Sequence, residues 1–338
     1  MMHHILLFQL LIVAYFSGSQ AENAFSKYWE EHISLPQPPH WFSSKASPLS
    51  PHQVAVFTKL IQENELASHL RSFCEQANIA CSTNELVKTT MENTTLPPIA
   101  RWNAEKEKYD AVAAIPLSVA KQGGLPYFRA SMVKEGSVMA IPDLRDQMSY
   151  KSFLPRSLAS KIPFSFTRME ELKNIFGVVD EKMSEFIQEA LEVCEKSTIP
   201  GEPRICATSA EDLIDFIVEN LGQSLSIWST ESIEGSYENA TIGTVKIIYE
   251  NLSQPPALCH SQPFIYQVYF CHILPKVKVF AVDIHAQKKV NHAIMACHYD
   301  TSTWDPNHIA FKLNGFGPGL IEVCHWVNEN GMIWTKAI

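Results

Sequence analysis

The stretch KVKVFAVDIHAQKKVNHAIMACH, residues 276–298, sets apolar and β-branched side chains at alternate positions through two successive runs. A period of two is the signature of a strand that lays one face on a core. In the second run Val290, His292, Ile294, Ala296 and His298 fall on one face, and Ala293, Met295 and Cys297 on the other. TVKIIYE (244–250), PFIYQVYFCH (263–272) and HIAFKL (308–313) carry the same β-branched and aromatic enrichment, with turn residues between them. The region after residue 240 is therefore expected to be mainly antiparallel sheet.

Upstream the period lengthens. Ser50-Pro51-His52-Gln53 reads as a capping box with proline in the first helical turn. Val54, Phe57, Leu60, Ile61, Leu66, Leu70 and Phe73 then recur at helical spacing. Thr167 to Glu170 opens a second helical region, continued or restarted near Asp180 with Met183, Phe186, Ile187, Ala190 and Leu191 as its apolar face. Thr208 to Glu211 opens a third, which ends at Leu221-Gly222. Residues 22–50 are rich in Pro and Ser and read as extended, and 83–126 read as linker. A helical front and a sheet-rich back define an α+β fold.

Four dipeptides carry the chemistry: Cys259-His260, Cys271-His272, Cys297-His298 and Cys324-His325, separated by 10, 24 and 25 residues. Neighbouring side chains of a strand point to opposite faces, so each dipeptide sends its sulfur into one layer and its imidazole into the other. Disulfides on one side can thus hold imidazoles together on the other. Converging neutral imidazoles suit copper, zinc or nickel. Two other readings stay open: a Cys2His2 zinc site, and a disulfide scaffold flanked by buried histidines without metal. Asp300, just after the third dipeptide, is a candidate to orient a ligand imidazole or to cap a turn. His285 and His292 read as surface or filler histidines.

The first residues place the chain in an oxidising compartment. An apolar run from Ile5 to Phe16 leads to Ser19 and Ala21 at the −3 and −1 positions of a cleavage site. This is a secretory signal peptide over residues 1–21, with Glu22 opening the mature chain. Eight cysteines, an even number, then read as disulfides. Cys74 with Cys81 and Cys194 with Cys206 are the expected local pairs. Pairing among Cys259, Cys271, Cys297 and Cys324 is left open. Sequons at Asn93, Asn239 and Asn251 fit the same route. A net charge of −9 and the lack of a basic stripe argue against nucleic acid, and no stretch is long enough to span a membrane. Phosphate-binding glycine loops, G-x-S-x-G and His-Glu-x-x-His are absent from the sequence.

The spacing CH-x10-CH-x24-CH-x25-CH resembles the BURP domain of plant secreted proteins, and further similarity runs across residues 127–338. It includes YFRASMVKEGSVMAIPDLRD, CEKSTIPGEPRICATSAEDLIDF and CHYDTSTWDPNHIAF. FSKYWEEHISLP and FCEQANIAC resemble the polygalacturonase non-catalytic β-subunit-like subgroup, whose long Phe-x-x-Tyr array is reduced here to remnants such as RWNAEKEKY. The resemblance implies an N-terminal extended segment plus helix over 22–82, a degenerate repeat linker over 83–126, and a BURP domain over 127–338. It implies copper ligands at His260, His272, His298 and His325, with His308 as a further candidate. It also implies a protein of the cell wall or apoplast, with the vacuole as an alternative. The implied role is a non-catalytic partner of polygalacturonase or of pectin, in development or stress. The alternative implied by the family is a copper-dependent peptide cyclase that crosslinks a Trp or Tyr of a core peptide, for which Gln37 to Trp41 is the nearest stretch. The sequence leaves open whether the chain is itself an enzyme.

Overall fold

A computed structural model describes residues 24–86 and 127–337, apart from 147, 149, 196–198, 200, 232–236, 252 and 287–288. The expected signal peptide, the Asn93 sequon and most of the linker lie outside the described residues. The strands are β1 Tyr127–Phe128, β2 Val138–Ile141, β3 Arg204–Ala207, β4 Leu225–Trp228, β5 Tyr237–Glu250, β6 Ala257–Ser261, β7 Tyr269–Ile273, β8 Val277–Ala286, β9 Lys289–His298, β10 Val323–Val327 and β11 Met332–Lys336. They form two antiparallel sheets, one of six strands in the order β1-β10-β9-β8-β5-β2 and one of five in the order β3-β7-β6-β11-β4.

Helices come first and between, and the expected α+β class is what the chain adopts. The helix Pro51–Gln62 opens on the capping box read from the sequence, Ser50 Oγ accepting from Gln53 N at 3.4 Å and Gln53 Oε1 accepting from Ser50 N at 2.7 Å. The helix Glu181–Glu195 buries Met183, Ile187, Ala190 and Leu191 as its spacing foretold. The helix Ala210–Leu221 is capped by Ser209, one residue after the expected start, and ends at Gly222 with φ +83°.

Three apolar layers hold the two sheets. Leu258, Val279, Ile294, Ala296, Val323 and Ile333, drawn from both sheets, fill the space between them. The outer face of the six-stranded sheet packs Ile284, Met295, Cys297 and Trp326 under Phe128 and Leu144. The outer face of the five-stranded sheet presents Cys259, Tyr269, Cys271 and Trp334 to the helix Ala210–Leu221 and to the N-terminal segment. A fourth cluster joins the helices of residues 51–77 and 169–191 to Phe264, Ile265, Tyr266 and Val268.

Three expectations are overturned. Residues 24–32 and His40–Ser43 are helical, not extended. Phe25, Trp29 and Ile33 recur at helical spacing, and burial of Trp29 against Trp334 at 6.0 Å outweighs the prolines that follow. HIAFKL is not a strand: Ile309–Asn314 is a helix whose first turn is capped by the His308 side chain accepting from Ala310 N at 3.2 Å. A six-residue alternation is too short to tell the two periods apart. In PFIYQVYFCH only Tyr269 onward is strand. The earlier part is a buried loop held by Ala80 N donating to Ile265 O (2.8 Å) and Gln267 N donating to Ser152 O (3.0 Å).

Candidate metal centre

The four dipeptides lie on β6, β7, β9 and β10, and the registers put them face to face in twos. Cys259 pairs with Cys271 across β6 and β7, and Cys297 with Cys324 across β9 and β10. Both pairs are disulfides, as are Cys74–Cys81 and Cys194–Cys206. Sulfurs face outward into the apolar layers on the far side of each sheet, and the histidines face the space between the sheets. The pleat sorts sulfur from imidazole at every dipeptide.

The imidazoles meet across the interface. Nε2 of His260 is 3.4 Å from Nε2 of His272 within the five-stranded sheet, and Nε2 of His298 is 3.3 Å from Nε2 of His325 within the six-stranded one. Ring centroids of His260 and His325 are 5.6 Å apart, and those of His272 and His298 are 6.3 Å apart, so the two pairs stand against each other. Burial, with the neighbouring imidazoles adding to it, holds His260 and His298 well below the usual histidine range. Burial brings His325 down to about 4, against a smaller opposing effect of the Trp326 carbonyl. These three rings are neutral at ordinary pH, the state in which imidazole binds a metal.

Their outer nitrogens fix which lone pairs face inward. His325 Nδ1 donates to the Trp326 carbonyl at 3.1 Å, and His272 Nδ1 meets Glu202 Oε1 at 2.8 Å. A carbonyl or carboxylate only accepts, so Nδ1 carries a proton in both rings, and in a neutral ring that leaves the lone pair on Nε2. His298 Nδ1 is buried with no hydrogen-bond partner.

The donor set fits a borderline metal. Two nitrogens bound at 2.0–2.1 Å in a tetrahedral shell lie roughly 3.3 Å apart, the spacing found within each histidine pair. The fit is to two pairs: among the described residues no group of three or more His, Cys, Asp or Glu is arranged, as the side chains stand, to hold one ion. His308 stays outside the four. Its Nδ1 caps a helix, and its ring packs on Trp304 at 4.8 Å and Tyr127 at 5.3 Å.

Asp300 does not orient an imidazole. It accepts from Ser302 N (3.1 Å) and Oγ (2.6 Å) and pairs with Lys276 at 2.8 Å, which makes it a turn residue. The carboxylate that does meet a ring nitrogen of the cluster is Glu202, on His272 Nδ1, and sequence reading missed it. The signal available was its place between Cys194 and Cys206, on the run leading into a strand. His292 lies toward solvent on Asp283, at 2.8 Å. Asn239 and Asn251 are both exposed. No helix among the described residues is long and apolar enough to cross a membrane.

The chain is 45% identical over 215 residues to the polygalacturonase-1 non-catalytic subunit beta of Solanum lycopersicum, covering 62% of this chain and 34% of that protein. Identity to polygalacturonase 1 beta-like protein 3 of Arabidopsis thaliana is 43% over 215 residues, with the same coverage. BURP domain-containing protein 16 of Oryza sativa subsp. japonica is 37% identical over 217 residues, 62% of each chain. The chain thus spans about a third of the length of the polygalacturonase-subunit relatives it matches. The BURP domain model matches residues 126–336, which takes in both sheets and all four Cys-His dipeptides, and the chain belongs to the BURP domain family.

Proposed function

We propose that this protein is a secreted cell-wall component that acts as a non-catalytic partner of a pectin-degrading enzyme, and that its Cys-His histidines hold copper. The partner reading rests on similarity to relatives named as polygalacturonase non-catalytic subunits. The copper reading rests on the four imidazoles that two sheets bring together. His260, His272, His298 and His325 would supply neutral nitrogen ligands, and bound copper would supply one-electron redox chemistry or a structural tie. The protein's own part is to keep His260, His298 and His325 unprotonated, to aim Nε2 inward and to exclude water with the surrounding apolar layer.

The competing cyclase reading needs Gln37 to Trp41 as substrate. Trp41 instead sits in the short helix His40–Ser43 and packs against the N-terminal cluster, its ring 6.0 Å from Phe42. That use of the segment favours the partner reading.

Elemental mass spectrometry of the purified secreted protein, wild type and His298→Ala, tests the copper. Stoichiometric copper that falls at least several-fold in the variant is the expected result, and a metal-free wild type expressed with copper and zinc supplied would remove the site. Co-sedimentation with a purified polygalacturonase and with pectin tests the partner. Binding to neither would remove that half of the reading.

A further inference from the structure

We infer that Glu202 is the positioning residue of the histidine cluster, and that the Cys194–Cys206 disulfide holds the turn that delivers it. This rests on the metal reading above but is measured separately from it.

Three observations meet at Glu202. Its carboxylate is 2.8 Å from His272 Nδ1, with Glu202 5% and His272 12% exposed at the side chain, so the contact is largely shielded from water. Arg204 faces His272 in the β3–β7 register, and Glu202, two residues earlier, is the diagonal neighbour of the ring. The turn before it is closed by Glu202 N donating to Ile199 O at 3.1 Å and by Gly201 at φ +79°, a conformation that a residue with a Cβ adopts only at a cost. Ile273 N donates to Pro203 O at 3.0 Å and ties the turn to the strand that carries His272. Cys194, on the helix Glu181–Glu195, and Cys206, on β3, close the whole excursion into a covalent loop.

The chemical consequence follows from the tautomer. A neutral imidazole has one proton, and the carboxylate draws it to Nδ1, leaving the Nε2 lone pair aimed at His260. Without Glu202 the proton is free to move to Nε2, which blocks that nitrogen as a ligand. Outer carboxylates of this kind raise ligand basicity and fix ring orientation, and losing one typically weakens metal binding by about 10- to 100-fold. Among the described residues no carboxylate meets Nδ1 of the other three histidines, so His272 is the ring on which this control acts.

The test uses the full secreted protein. Nitrogen NMR of the metal-free wild type is expected to show His272 with its proton on Nδ1; a proton on Nε2 overturns the inference outright and needs no variant. In Glu202→Ala the tautomer is expected to shift toward Nε2, and chelator competition with copper to show roughly 10- to 100-fold weaker binding. Glu202→Gln, whose amide oxygen still accepts, keeps the Nδ1 proton. Serine at both Cys194 and Cys206 reproduces the alanine result in weaker form. A Glu202→Ala protein with wild-type tautomer and affinity overturns the inference. A wild type that takes up no copper overturns the metal reading alone, because the NMR comparison still decides the role of Glu202.

Discussion

Glu189 is a carboxyl group in a place built for hydrocarbon. It lies on the helix Glu181–Glu195, 6% exposed, and its Oε1 has no hydrogen-bond partner. Burial, with Glu192 adding to it, pushes its carboxyl up to about 8. A folded pKa above the unfolded value means the group favours the fold fully only below the unfolded value near 4.5, and this contribution is lost as pH rises toward 8. Glu189→Gln is therefore expected to match wild type near pH 4.5 and to be more stable by about 2–4 kcal/mol near pH 7. Urea unfolding at the two pH values checks this, and a difference that does not change with pH would refute it. The protein is thus suited to acid surroundings at this position. Residues of this kind were hard to see in the sequence: Glu189 is one acidic letter among several on its helix, and only packing shows that it faces inward. Glu202 was invisible for the same reason. The Cys-His dipeptides were legible because one strand sends adjacent side chains to opposite layers, so the motif announces its own geometry.

Among the elements, the long strands and capped helices were read correctly where several signals coincided, as with Ser50, Pro51 and Gln53 at the start of Pro51–Gln62. The N-terminal helix was not, because its local signal is only Phe25, Trp29 and Ile33 at helical spacing and its main support is tertiary. Trp29 is fully buried, donates its Nε1 proton to Leu35 O at 2.9 Å, and meets Phe42 at 5.9 Å and Trp334 at 6.0 Å. That spacing alone is too short to decide the helix; the sheet beneath it does. Trp29→Ala should cost about 3–5 kcal/mol, the usual range for losing a large aromatic from a core. The denaturant midpoint should fall with an unchanged slope. A loss below 1 kcal/mol would mean that the segment docks only loosely. The pairing of sheets was equally unreadable. Alternation shows that a strand has two faces but not which other strand it meets, and the chain divides its eleven described strands between two sheets instead of one.

At the scale of the molecule, each Cys-His disulfide lies inside a single sheet, and none of the four bridges joins one sheet to the other. The sheets are held together by apolar side chains and by the facing imidazoles. Removing the Cys297–Cys324 bridge, whose ends are 27 positions apart in sequence, should cost about 3.5 kcal/mol of chain entropy. It should also loosen the His298–His325 pair. Replacing Cys74 and Cys81 should leave copper content unchanged, since that bridge staples a helix end and packs in the helical cluster, not on a histidine-bearing strand. Copper content and unfolding midpoint measured on both double variants separate the two, and equal copper loss would show that the bridges act only through global stability. The place of β11 between β6 and the edge strand β4 bears on how the molecule is made. Trp29 leaves the ribosome about 300 residues before Trp334, the ring it packs on. Through that interval the N-terminal aromatic face lacks the ring it packs on in the sheet, and the five-stranded sheet lacks the strand that joins β4 to β6. The nascent chain must be shielded until its last strand arrives, and a premature stop ahead of Met332 would release a chain that cannot close either.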